Sequence, residues 1–170
     1  FIVWTGYVLT ETLCCWLTAA ALMVLMEVPS LDGRRAARAA LGGGLLLGLA
    51  ALVRSVIVGF GVLAIGWLFW ACQRSLWKRA LVSGLVGLAM AVPVGLWVAR
   101  NAVRIGAPIL STQLGLALYH GNSPGATGGS RGYVDDQDYT PVTGLSPASE
   151  VDTDRYYRAQ AWKFIHEHPR

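Results

Sequence analysis

The sequence predicts an all-α polytopic membrane helix bundle, followed by a loop-rich extracytoplasmic segment and an amphipathic C-terminal helix, and three observations predict it. First, Phe1 to Ala99 is almost wholly apolar, with charge confined to Glu11, Glu27 with Asp32, the cluster Arg34, Arg35 and Arg38, the lone Arg54, and the cluster Arg74, Lys78 and Arg79. Second, those two basic clusters flank one uninterrupted apolar run, from Ala39 to Cys72, that holds a single arginine. Third, between Pro93 and Gly128 the chain changes solvent: apolar residues dominate before it and polar ones after it, which is where a membrane–water boundary falls. The 170 residues are 54% hydrophobic and 14% charged, with a mean hydropathy of +0.47, but these are averages over two unlike halves.

Taken in order, residues 1–104 read as transmembrane helices over about 10–27, 39–53, 55–72 and 80–99. Gly6 offers a break near the start, so Thr10-Glu11 is expected to open a helix near the surface, where the helix dipole favours a carboxylate. The alternative is one longer helix that carries Glu11 deeper into the membrane. Either way an ionisable group in or beside hydrocarbon is costly and marks a functional candidate.

The positive-inside preference places the loops Gly33 to Arg38 and Gln73 to Arg79 on the same, cytoplasmic face. One helix joining them would be roughly 50 Å long, against a hydrocarbon core of about 30 Å, and would put them on opposite faces. Two short antiparallel helices satisfy both conditions. Their turn falls at Val53-Arg54-Ser55 and delivers Arg54 to the far face, where a cation at a bundle rim calls for a carboxylate, a helix C-terminus or a lipid phosphate as partner. Gly44 and Gly48 form a G-x-x-x-G that permits close helix approach.

The run from Ala80 to Ala99, with Pro93 inviting a kink, starts at cytoplasmic Lys78-Arg79 and emerges on the outer face, where Trp97 fits an aromatic belt. Arg100 and Arg104 then stand outside, against the topological preference and one helical turn apart. Two guanidiniums so placed suit bidentate recognition of phosphate.

Residues 105–170 read as extracytoplasmic. Pro108 to Leu118 is expected to be a short strand or extended run, Gly121 to Pro147 a loop, and about 153–168 a helix capped by Asp152 or Thr153, with an apolar stripe of Tyr157, Ala161, Phe164 and Ile165. Asp135, Asp136 and Asp138 miss the spacing of a calcium loop, and His166-Glu167-His168 lacks that of a zinc helix and reads as solvated. Cys14, Cys15 and Cys72 form no framework and read as buried small hydrophobes. No metal and no cofactor is called for. The net charge of +4 is accounted for by membrane topology, so no nucleic-acid partner is inferred. Because the chain opens on Phe and has no stop signal after Arg170, it is expected to be an internal fragment.

The run Trp97-Val98-Ala99-Arg100-Asn101, followed by Gly106, Ser111-Thr112, Gly115, Leu118-Tyr119, Gly121-Asn122 and Ala126-Thr127-Gly128, resembles the membrane glycosyltransferases of the dolichyl-phosphate-mannose-protein mannosyltransferase type, glycosyltransferase family 39 of the GT-C superfamily. Tyr7-Val8-Leu9-Thr10-Glu11 and Gly48-Leu49-Ala50-Ala51-Leu52-Val53-Arg54 resemble two further patterns of that family, so the similarity covers most of the chain. It departs where the family often has Pro before the Trp, here Leu96, and Asn-Gly after Ser-Thr, here Gln113-Leu114.

The resemblance implies sugar transfer from a polyprenyl-phosphate donor to a lipid, glycan or protein acceptor at the outer face of the inner (plasma) membrane. It further implies that the acidic catalytic residue lies in an outer loop upstream of Phe1. Within this chain Glu11 is the only carboxylate with even a weak claim to that role. Arg54 and Arg100, with Arg104, are expected to neutralise the lipid phosphate, with Asn101, Tyr119, His120 and Asn122 shaping the substrate pocket. Two other classes fit the residues: a transporter or flippase that binds an anionic or lipid-linked substrate without chemistry, and a non-catalytic structural membrane subunit.

Overall fold

The computed structural model describes residues 2–124, 126 and 150–168, with side chains from Thr10 onward. The chain divides into two compact units, Phe1–Leu110 and Ser111–Arg170, and every regular element among the described residues is a helix.

The first unit holds four helices: α1 (Ile2–Glu27), α2 (Gly33–Val53), α3 (Ile57–Ala71) and α4 (Leu76–Ile105), with a single 3-10 turn, Val28–Ser30, between α1 and α2. Three stretches are long and apolar enough to cross a membrane: Thr10–Ser30 of α1 and its turn, all of α2, and all of α4. At 15 residues α3 is about 22 Å long and falls short of a hydrocarbon core.

Several boundaries differ from those expected. α1 runs from Ile2 without interruption, so Glu11 lies in its third turn rather than at a helix start. Gly6 alone costs a helix only about 1 kcal/mol, too little to break one that has no other way to satisfy its backbone in apolar surroundings. α2 begins at Gly33, taking the basic cluster into its first turns. α4 begins at Leu76 and continues through Pro93 to Ile105, which makes Arg100 and Arg104 part of the same rod as the apolar run. It stops at Gly106, whose φ of +77° is the left-handed conformation that ends helices.

Glycine sets the helix spacing in this unit. A Cβ on Gly44 would run into the Val86 carbonyl and the Ala89 methyl, and one on Gly48 into the Met90 carbonyl and the Pro93 ring. Backbone cannot yield, so α2 and α4 touch there only because both positions are Gly. Gly43 does the same for α1, where a Cβ would meet the Leu25 side chain. Leu25, Val28, Leu47, Leu68 and Val86 fill the space between, each under 2% exposed. Gly42, Gly59 and Gly66 face open space and carry no such load.

Of the cysteines, Cys14 and Cys72 are buried as expected, but Cys15 is exposed. Neighbouring helix positions point about 100° apart and cannot both face one core.

In the second unit, α5 (Leu114–Gly121) occupies ground expected to be extended, and α6 (Glu150–Glu167) begins before the expected cap. With no partner strand among the described residues, the α5 segment satisfies its amides as a helix, and Asp154 of α6 accepts from the Gly115 N–H at 2.6 Å, serving the first turn of α5 as a remote cap. Glu150 and Asp152 fall in the first turn of α6, where negative charge complements the dipole. Gly115 lies so close to the Asp154 backbone that any Cβ there would collide with its carbonyl.

Candidate functional site

Helix register brings Arg54, Arg100 and Arg104 to one end of the bundle. Gly44 lies against Val86 and Ala89, and Gly48 against Met90 and Pro93, so both helices advance by four residues together and α2 and α4 run parallel. Six residues on from Gly48 is Arg54, and six on from Pro93 is Ala99, the neighbour of Arg100. On α4 the residues that face α2, Val86, Met90 and Pro93, continue at helical spacing as Trp97, Arg100 and Arg104. Those arginines therefore extend the α2-facing stripe past the end of α2, where Arg54 stands.

The same reasoning places Glu11. Gly43 lies against Leu25 and Ala21 of the antiparallel α1, so Arg54, eleven residues further, is level with residues 10–14. There the Glu11 Oε1 accepts a hydrogen bond from the Arg54 Nη2, an ion pair between residues 43 apart in sequence. The Arg54 backbone is pinned on both sides: its N–H donates to the Ala50 carbonyl at 2.9 Å and its carbonyl accepts from the Ile57 N–H at 3.0 Å. Both side chains stay accessible, 48% exposed for Arg54 and 66% for Glu11. An exposed pair contributes about 0–1 kcal/mol to stability, so folding alone gives little reason to keep it.

Arg100 is held differently. Its guanidinium lies 4.9 Å from the Trp97 ring centroid and donates to the Asn101 Oδ1 at 2.9 Å. The buried Asn101 amide in turn donates to the Ile109 carbonyl at 2.9 Å, and the Trp97 indole N–H to the Leu110 carbonyl at 3.3 Å. These bonds fold the residues after Gly106 back onto the end of α4. Asn101 thus anchors backbone, whereas Arg100 is oriented by neutral partners and keeps its whole charge. Arg104, one turn further, is exposed and has no partner among the described residues. Among the described residues of the first unit the rim therefore carries three guanidiniums against one carboxylate.

Tyr119, His120 and Asn122 belong to the second unit, at the C-terminal end of α5. Tyr119 packs at a tilt against Tyr157, 5.2 Å between centroids, and the Asn122 side-chain amide donates to the Leu118 carbonyl at 3.0 Å, closing the helix. Only His120 is an exposed side chain with no structural partner among the described residues. The Trp162–His166 and Phe164–His168 ring contacts, the latter at 4.4 Å, and the Lys163–Glu167 pair at 3.9 Å tie the terminal histidines and glutamate to their own helix. Asp135, Asp136 and Asp138 lie outside the described residues. Among those described, no group of three or more His, Cys, Asp or Glu converges to hold a metal.

Two structural ion pairs escaped sequence reasoning. Arg74, read only as part of a topological cluster, is 13% exposed and reaches the Val28 carbonyl at 3.3 Å, the Pro29 carbonyl at 3.4 Å and the Asp32 carboxylate at 3.3 Å. Asp154 accepts from Arg158 at 2.5 Å as well as from Gly115, and its side chain is 6% exposed. The one available signal was spacing, Asp154 and Arg158 being i and i+4 on a helix. Near the Arg74 end of the first unit, Leu22, Leu25, Met26, Phe60, Leu63 and Trp67 line an apolar cleft of about 390 Å³ that offers no polar group to a reaction. A comparison of the chain with known protein families, curated proteins and solved structures finds no match.

Proposed function

We propose that this chain is the donor-binding part of a membrane glycosyltransferase that moves a sugar from a polyprenyl-phosphate carrier to an acceptor at the outer face of the plasma membrane. In this reading α1, α2 and α4 span the bilayer and the residues after about 100 are extracytoplasmic. The single observation that supports it is the shared level of Arg54 and Arg100, cations on separate helices at one end of a bundle whose other end carries the basic clusters. Counting about 20 residues of helix from Arg79 spans a 30 Å core and brings α4 to the surface beside Arg100.

The chemistry asks for this arrangement. When the bond between the sugar's anomeric carbon and the phosphate oxygen breaks, the electron pair stays on that oxygen, and a phosphodiester of charge −1 becomes a monoester approaching −2. Guanidiniums already in place stabilise the developing charge without reorganising, and Arg does so bidentately. The acceptor hydroxyl loses its proton to a base within hydrogen-bond reach. Glu11 is engaged with Arg54, so its present partner is a cation rather than an acceptor.

The test is sugar release from a polyprenyl-phosphate donor by the full-length protein in proteoliposomes. Charge-removing variants Arg54→Gln and Arg100→Gln are each expected to lower kcat/KM by about 100-fold or more, the cost of deleting one stabiliser of transition-state charge. Undiminished transfer by both would overturn the reading, as would a lipid-linked sugar that crosses the membrane, acceptor present, with its glycosidic bond intact.

A further inference from the structure

Glu11 is the part of the rim that anion binding leaves unexplained. A site built only to hold phosphate gains nothing from a carboxylate on its central arginine, yet the register of α1 on α2 fixes one there. The pair is also too exposed to be a stability device, at 66% and 48%. Thr10 and Thr12 beside Glu11 are themselves bonded, and among the described residues of this unit the other charges at this end are Arg100 and Arg104.

The geometry points to Glu11 as the specificity-determining residue of this rim: it holds Arg54 while the site is empty, then discriminates between phosphates by charge, tolerating a singly charged phosphodiester and weakening retention of a doubly charged monoester. The inference rests on the donor-binding reading above and adds the direction in which the site is biased. A ligand phosphate that takes Arg54 from Glu11 meets the same exchange cost whichever phosphate it is, so that step cannot select. Selection comes afterwards. The carboxylate stays on α1, within one side-chain length of the phosphate that has replaced it, and repels it in proportion to its charge. A monoester at about −1.5 to −2 is penalised more than a diester at −1. For a transferase whose donor is the diester and whose spent carrier is the monoester, this favours loading and hastens clearance.

The experiment titrates the full-length protein in phosphatidylcholine nanodiscs with a long-chain polyprenyl monophosphate and with its methyl diester, which differ in charge and little else. Glu11→Gln is expected to tighten both ligands and the monoester more, so that the ratio of the two dissociation constants moves on the order of threefold to tenfold toward the monoester. Arg54→Gln should weaken both. A ratio unchanged by Glu11→Gln, or moved toward the diester, overturns the proposal. If Arg54→Gln and Arg100→Gln weaken binding while the Glu11→Gln ratio stays fixed, only the selector role fails. If neither arginine variant changes binding, the donor-binding reading itself fails. Should Glu11→Gln not fold, Glu11→Asp, which withdraws the carboxylate by one methylene, must move the ratio the same way by a smaller factor.

Discussion

The two ends of the four-helix unit each hold an arginine in a short inter-helix connection, and the two are used in opposite ways. At one end Arg74 is nearly buried and is spent on carbonyls and a carboxylate of the α1–α2 turn, stapling two hairpins together; the Arg79 Nε donates to its carbonyl at 2.7 Å and adds a second tie. At the other end Arg54 is half exposed and meets a single, still more exposed carboxylate. What separates the two roles is coordination. A guanidinium with three protein acceptors is part of the fold, and one with a single exposed acceptor is available to something else. Spacing set the lone Arg54 apart from the clustered Arg74, but gave no sign that Arg74 would be the one bound into the fold.

The sharpest way to break this contrast is to neutralise each arginine and read activity and stability side by side. Arg54→Gln is expected to cost about 100- to 1000-fold in sugar transfer, or ~3–4 kcal/mol of transition-state stabilisation, while shifting unfolding by less than about 1 kcal/mol. Arg74→Ala is expected to do the reverse, lowering unfolding free energy in mixed micelles by about 2–3 kcal/mol through loss of charge-assisted hydrogen bonds. Arg54 variants that unfold, or Arg74 variants that fold normally, would dissolve the distinction.

Gly48→Val tests the register that gives the Arg54 end its shape. The branched side chain should collide with the Met90 carbonyl and Pro93, costing about 1–3 kcal/mol in the same unfolding assay, while Gly59→Ala, which faces open space, should be silent. A smaller effect is expected from Asn101→Ala. Removing the amide leaves the Ile109 carbonyl without its donor, costs about 1 kcal/mol and should speed amide exchange from Gly106 to Leu110, with global unfolding little altered. Smallest is Arg104→Ala: exposed and one turn beyond Arg100, it should weaken phosphate binding only a few-fold, and the remaining deficit should vanish as salt is raised.

Much of the first unit was legible because hydrocarbon thickness and loop charge act on sequence directly. The apolar run between two basic clusters demanded a turn, and a break lies between Val53 and Ile57 where Arg54 stands. Helix ends were less legible. α2 and α4 extend past their apolar cores because Arg34, Arg35, Arg100 and Arg104 are good helix formers once the backbone has started. The extended reading of Pro108 to Leu118 fails from Leu114 onward, where α5 begins, because Asp154, which caps Gly115, lies 39 residues away in the chain. Tyr119 and Asn122 drew attention as site residues; in the fold one packs against Tyr157 and the other closes α5.

By itself the sequence indicated a helical chain with membrane-compatible apolar segments, reading four spans where three are long enough, and marked Arg54 as a cation in search of an anion, because hydropathy and charge are properties of residues taken one at a time. Only the tertiary structure decided which anion. Gly43, Gly44 and Gly48 remove the side chains that would hold α1, α2 and α4 apart, and the register they allow sets Glu11, Arg54 and Arg100 at one level. Convergence of that kind depends on how far one helix slides along another, a quantity fixed by packing between residues distant in the chain.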